Sequence, residues 1–204
     1  MGFEMSYQAI PANSGLLELA RDDIESGERL SLLPYWFSRD EHQPAPGQEH
    51  PEDRLWNWCC QVVARHPELY TLNCYLDRTW DKLHFLLSAT RRGEAPIPAD
   101  LILDRAFCDG EMIAEHVCAG QGVPVRYISP ERVIETAALV KSLDHHDLAA
   151  KYQPQRLEAA GVYKFWADRA DAAEWQTIQR CFDDFRRFFA ATAQSGSGCI
   201  VVRD

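Results

Sequence analysis

Residues 171–202 read DAAEWQTIQRCFDDFRRFFAATAQSGSGCIVV. Trp175, Ile178, Phe182, Phe185, Phe189 and Ala193 recur at steps of three and four. That period stacks side chains on one face of an α-helix. The spacing predicts a long amphipathic helix from about Asp171 to Ala193, with Asp183 facing Arg187 one turn later on the outer side. Ser195-Gly196-Ser197-Gly198 breaks the helix, and the β-branched run Cys199-Ile200-Val201-Val202 reads as a short strand. At the other end, Phe3, Met5, Tyr7 and Ala9 alternate with polar neighbours, which predicts a half-buried strand closed by Pro11. A strand at each end of a largely helical chain predicts an α+β fold. We expect a single domain over residues 1–204, with a small mixed or antiparallel sheet that includes both terminal strands and packs against several helices.

The middle of the chain fits this frame. Leu16, Leu17, Leu19 and Ala20 belong to a short helix capped near Asn13 or Ser14. Residues 34–53 carry Pro34, Pro44, Pro46, Gly47 and Pro51 among acidic and His residues, and read as a long Pro-rich acidic surface loop. A helix from near Asp53 to His66 carries Leu55, Cys59, Val62 and Val63 at helical spacing and stops at Pro67. The next, with Asp77 as N-cap, carries Trp80, Leu83, His84 and Leu87 at i, i+3, i+4 and i+7. Arg91 and Arg92 suit its C-terminal dipole and Gly93 ends it. Leu101 to Cys118 is ambiguous and helical in part. Val123 to Ile128 reads as an edge strand because of Pro124. Ser129-Pro130 opens a helix whose apolar face is Val133, Ile134, Ala137 and Val140, and Asp144 caps a short one after it.

Composition excludes several classes. The chain is 46% hydrophobic and 25% charged, enough for a core and too ordered a mixture for a disordered chain. The formal net charge is −10, which disfavours nucleic acid and anionic membranes as partners. The excess is uneven: residues 1–60 hold 11 acidic and 4 basic side chains, a net of −7. Asp22, Asp23, Glu25 and Glu28 form one acidic cluster; Asp40, Glu41, Glu49, Glu52 and Asp53 form a second. No apolar run approaches the ~20 residues that span a bilayer, and no export signal opens the chain. Seven cysteines without a C-x-x-C pair fit free thiols in a reducing cytoplasm.

Catalytic and cofactor motifs are absent from the sequence. There is no G-x-x-x-x-G-K-[ST], no G-x-S-x-G and no H-E-x-x-H. Gly196-x-Gly198 follows a helix and precedes a strand, the reverse of a dinucleotide loop. The adjacent ligand types His145-His146-Asp147 diverge by ~100° per residue on a helix and read as a solvated helix start. Glu111, Glu115, His116 and Cys118 mix hard and soft donors and match no standard set. No catalytic residue, metal site or cofactor is therefore expected. His84 stands out because it lies on the inward stripe, where a buried imidazole needs partners for both nitrogens. Tyr35-Trp36-Phe37 stands out because three consecutive large aromatics cannot all point inward: core packing is the role of most, and any left exposed beside the acidic loop have the composition of an interface anchor.

Leu76-Asp77-Arg78-Thr79-Trp80-Asp81-Lys82-Leu83-His84-Phe85-Leu86-Leu87 resembles the hallmark of the YfbM-like domain of unknown function. Tyr127-x-Ser129-Pro130-x-x-Val133, Val162-Tyr163-x-x-Trp166, and the Phe-rich last helix with its Val-rich ending are similar to further segments of that family, in the same order. Ser88-Ala89-Thr90 departs from the Leu-Thr-Gly that often follows the hallmark, and the 34–53 loop is longer and more acidic than the family pattern. The resemblance implies a single cytoplasmic bacterial α+β domain and carries over no catalytic residue or cofactor. By analogy with small acidic bacterial proteins, it also suggests an immunity protein that neutralises a toxin.

Three functional expectations follow, one of them a purely structural domain of a larger assembly. The first is a protein-interaction module that docks a basic protein partner through Asp22, Asp23, Glu25, Glu28, Tyr35, Trp36, Phe37, Asp40 and Glu41. The alternative is a small enzyme or ligand-binding domain with a pocket around Trp80, His84, Tyr163 and Trp166. The oligomeric state is not readable from the sequence.

Overall fold

A computed structural model describes residues 4–39, 41, 43–108, 110–114 and 125–203. The two terminal strands, β1 (Met5–Ile10) and the one at the far end of the chain, Gly198–Arg203, lie side by side in the middle of a five-stranded antiparallel sheet. With β2 (Asn73–Asp77), β3 (Glu111–Met112), β4 (Arg126–Ile128) and β5 (Gly198–Arg203), the order is β2-β1-β5-β4-β3. Met5 pairs with Arg203 and Ile10 with Gly198, so the expected sheet containing both ends is present, and those ends form its centre. Phe3 and residues 123–124, assigned to strands from the sequence, lie outside the described residues. The edge position expected for the 126–128 strand is corrected, because β3 covers its outer side through Glu111 and Met112.

Helices occupy both faces of the sheet. Tyr7 packs against Phe185, Phe188 and Phe189 of the last helix, and its hydroxyl donates to the Ala106 carbonyl at 3.0 Å. The opposite face is covered as well: Gln8 is buried and donates to the Leu69 carbonyl at 3.1 Å. This corrects the half-buried reading of β1, whose six residues are all buried. Alternation located the two faces, but polar Ser6 and Gln8 do not reach water because a second helical layer lies over them. At the start of β5, an added Cβ on Gly198 would sit 2.6 Å from the Ile128 carbonyl and overlap the Tyr127 hydroxyl, so only glycine lets the strands close there.

The first-third helices are α1 (Leu16–Asp22), α2 (Ile24–Glu28) and α3 (Leu33–Ser38), with a 3-10 turn at Leu30–Leu32. Pro34 begins α3 rather than a loop, since proline's fixed φ and missing donor suit the first helical turn. The irregular segment starts after Ser38 and is tied down: the Trp56 indole donates to the Gln48 carbonyl at 2.8 Å, and Asn57 exchanges hydrogen bonds with the His50 backbone at 2.6 and 2.7 Å. Helix α4 (Arg54–Arg65) is capped by Asp53, which accepts from the Trp56 N–H, and buries Leu55, Cys59, Val62 and Val63 as expected.

The next helix, α5 (Trp80–Leu87), is shorter than expected and buried over all eight residues. Asp77 is not its N-cap. It closes β2 with φ 47, a left-handed turn that Asp tolerates better than most residues. Arg92 lies beyond the helix, yet donates to the carbonyls of Phe85 and Leu86 at 3.0 Å each, satisfying the exposed C-terminal acceptors. Helices α6 (Pro98–Cys108), α7 (Pro130–Lys141), α8 (His145–Lys151) and α9 (Pro154–Ala159) lead to α10 (Ala172–Gln194), capped by Asp171. Ile134, expected on the apolar face of α7, is exposed, and Thr136 takes a buried position on that helix. Asp183 bonds His145 at 3.0 Å, and Arg187 pairs with Asp184 at 3.1 Å, not with Asp183. Among the described residues no helix is long and apolar enough to cross a membrane.

Candidate functional site

A buried polar network gathers where α5 meets α6. The apolar residues Trp80, Leu83 and Leu87 pull α5 inward and carry His84 with them, leaving it 4% exposed. Its ring is stacked on Phe107 at 4.9 Å and 19°, and on Trp80 at 6.5 Å and 22°. The ring has little freedom to turn, so its nitrogens point at fixed partners. Nε2 lies 2.7 Å from Asp104 Oδ1 on α6. A carboxylate only accepts, so Nε2 carries the proton and donates. The Ser88 hydroxyl donates to the same oxygen at 2.8 Å. On the other side Nδ1 lies 4.0 Å from Asp81 Oδ1.

Asp81 anchors a second layer. Arg91 grips it with two nitrogens at 3.0 and 2.9 Å, and the Tyr163 N–H donates to it at 2.8 Å. Arg91 continues to the Ala160 carbonyl at 3.0 Å, which ties the α9 end to α5. Each charged group here is paired, as burial demands.

Cys108 is one turn beyond Asp104 on α6, and its Sγ lies 3.8 Å from both nitrogens of His84. Equal distances put the sulfur on the axis of neither ring lone pair, so the thiol and imidazole are not aligned for proton transfer. Burial lowers the His84 pKa, with the Asp104 hydrogen bond opposing it, and burial raises the Cys108 thiol, with the Asp104 charge adding to it. The pair is therefore neutral thiol and neutral imidazole near pH 7, unlike the ion pair of an activated cysteine. One ligand atom from each of His84, Asp104 and Cys108 falls within 4.8 Å of the others, so these are the residues able to hold a metal.

The His84 shift has a measurable consequence. An unfolded histidine titrates near 6.5, and the folded value is lower, so as pH falls the unfolded chain takes up the proton first. The contribution is fully present above about pH 6.5 and is lost as pH drops below it. Urea unfolding between about pH 7 and pH 5 is expected to show a smaller acid-side loss for His84→Gln than for the natural chain. Identical pH slopes would contradict it.

The pocket residues expected from the sequence are brought together only in part. Trp80 and His84 stack on each other, and Tyr163 reaches the network through its backbone N–H to Asp81. Trp166 is an exposed residue lying under Arg169 at 5.0 Å, with no described contact to His84. The other ligand-type residues serve the fold. His145 bonds Asp183, Asp147 completes the capping box of α8 with Asp144, and Glu111 pairs with Arg21. Glu115, His116 and Cys118 lie outside the described residues.

The acidic first third is divided by the structure. Asp23 caps α2 through the Ser26 N–H and pairs with Arg54 at 3.3 Å, and Asp53 caps α4 and pairs with Arg29 at 2.8 Å. Trp36 and Phe37, expected at an interface, are 9% and 0% exposed. Trp36 packs edge-on against Trp56 at 5.3 Å under Arg29, and Phe37 packs against Tyr70 at 6.3 Å. An α3 turn gives only one of three successive aromatics to solvent, and that one is Tyr35, at 37%. Asp22, Glu25, Glu28 and Glu41 are exposed; Asp40 lies outside the described residues. Ile24, 64% exposed, and Leu32 join them as apolar surface the sequence pattern did not single out.

A family model described as a domain of unknown function, DUF1877, matches residues 1–202. No curated protein matches the chain. Among solved structures, the chain is similar to a protein of unknown function, YfbM, from Escherichia coli, with a TM-score of 0.53 and 15% identity over 98% of this chain and 99% of that one. At that identity the likeness is one of fold.

Proposed function

The chain belongs to the DUF1877 family, a domain of unknown function, and on that premise we propose that it is a protein-interaction module whose acidic N-terminal helices dock a basic protein. The observation that carries this reading is the exposure of Ile24, Leu32 and Tyr35 within the same short run of helices, α1 to α3, as the exposed carboxylates Asp22, Glu25 and Glu28. Apolar anchors supply contact energy, and surrounding charge speeds encounter and rejects wrong partners. Asp23, Asp53, Trp36 and Phe37 support this surface from beneath by capping and packing. In its sharpest form the partner is a toxin and the chain is the cytoplasmic immunity protein of a bacterium, a role supported by the charge of −10 and by analogy.

The test is a pull-down from the source organism with the natural chain, with a triple reversal of Asp22, Glu25 and Glu28 to Lys, and with Ile24→Asp. A basic protein is expected to bind at low salt, to leave at high salt, and to bind at least about tenfold more weakly to either variant. Thermal unfolding of both variants should stay within a few degrees of the natural chain, since exposed charges contribute little to stability. No retained partner at low salt, or one indifferent to both variants, would end this reading.

A further inference from the structure

We propose that His84, Asp104 and Cys108 form a three-ligand site for a borderline divalent transition ion such as Zn²⁺, open to solvent on the Cys108 side. This is independent of the docking surface, which lies on α1 to α3. The site rests on helix geometry first. Asp104 and Cys108 are at i and i+4, so they share one face of α6, one turn apart. That face meets the inward face of α5 at His84, whose ring is fixed between Phe107 and Trp80.

Two of the three ligand separations lie near those around a tetrahedral ion, and the third, between Asp104 and Cys108, is within 4.8 Å. Bonds of about 2.0–2.3 Å to nitrogen, oxygen and sulfur separate tetrahedral ligand atoms by roughly 3.3–3.7 Å. The Nε2–Asp104 distance of 2.7 Å and the Sγ–Nε2 distance of 3.8 Å fall on either side of that range. Entry of the ion therefore needs the first gap to open by roughly 0.6 Å and the second to close slightly. The donor chemistry selects the ion. Thiolate and imidazole suit zinc-like cations, whereas Mg²⁺ and Ca²⁺ take oxygen ligands.

Charge and protons balance. The Cys108 thiol loses its proton to solvent as the sulfur–metal bond forms. The His84 proton leaves Nε2, and the neutral ring carries one on Nδ1, the nitrogen facing Asp81. A divalent ion with one thiolate and one carboxylate is neutral overall, as a largely buried place requires. Ser88 orients Asp104, and Asp81, itself held by Arg91, stands behind the imidazole. Such outer partners fix ligand orientation in metal sites. Cys108 is exposed, which provides an entry path and a free fourth position.

The experiment titrates the metal-free full chain with Co²⁺ and reads absorbance. One equivalent is expected to bind with a thiolate-to-cobalt charge-transfer band. Affinity should rise about tenfold per pH unit below the thiol pKa, one proton being released. Cys108→Ser should abolish that band and weaken binding at least about tenfold, and Asp104→Asn should weaken it by about 10–100-fold. Cys181→Ser, a partly buried thiol outside the cluster, should leave the band intact. Cys108 is a surface residue, so its variant folds whatever the metal does. The absence of saturable binding at one equivalent, or an unchanged band in Cys108→Ser, overturns the proposal.

Discussion

Asp81→Ala is expected to cost about 3 kcal/mol of folding stability, the low end of the range for breaking a buried ion pair from one side. Asp81 is buried and is the shared acceptor for the two Arg91 nitrogens and the Tyr163 N–H. Alanine leaves the guanidinium facing a gap with, among the described residues, the carbonyls of Ala160 and Gly161 as its remaining acceptors, at 3.0 and 3.5 Å. The Arg91 side chain keeps some access to water, which sets the value at the low end. For a chain of this length the loss corresponds to a Tm roughly 6–12 °C lower. Asp81→Asn keeps the shape and an acceptor for Tyr163 but not the charge, and is expected to lose about 1–2 kcal/mol. Urea unfolding checks both, with the midpoint moving and the slope constant. Equal effects of Ala and Asn would show that the charge contributes nothing and would contradict the pairing argument.

Phe185→Ala is expected to cost about 3–5 kcal/mol. Phe185 is fully buried where three elements meet: it stacks on Phe107 of α6 at 5.1 Å and 9°, meets Tyr7 of β1 edge-on at 5.7 Å, and packs on Phe189 at 4.6 Å. Truncation removes contacts to sheet and helix at once, and the surrounding rings, held by their own neighbours, do not collapse fully into the space. Phe185→Leu keeps most of the volume and should recover more than half of the loss. A loss below about 1 kcal/mol in calorimetry or urea unfolding would place the residue outside the core.

The same residues explain what the sequence made legible. The period of Ile178, Phe182, Phe185 and Phe189 needs no partner to be read, because it follows from 3.6 residues per turn. The alternation of Met5, Tyr7 and Ala9 is equally local. The inward stripe of α5 placed His84 correctly for the same reason. Its partners were not legible. Asp104 and Cys108 lie 20 and 24 residues further on, and nothing in their spacing says that α6 packs against α5. The only local signal was their i, i+4 relation on a helix whose extent was ambiguous. Which of Tyr35, Trp36 and Phe37 faces solvent is not legible, because composition records that aromatics and acids are neighbours in sequence, while burial depends on Trp56 and Tyr70 from later in the chain. Asp77 reads as a helix cap from the sequence but sits in a left-handed turn, because a residue good at the one is also good at the other.

The central pairing of β1 with β5 orders events during biosynthesis. Residues 5–10 leave the ribosome well before their partner strand, 198–203, which is made almost two hundred residues later. Without β5 the strand order leaves two separate pairs, β2 with β1 and β4 with β3, each lacking a neighbour on the side that β5 occupies. Helices α1 to α9 are able to form in that interval, but the sheet itself is joined by the last strand, as a zip fastener is closed by its slider. A ribosome stalled before residue 198 therefore presents two unpaired edges to chaperones or to other chains, and strand exchange between neighbouring nascent chains is the failure that this topology invites.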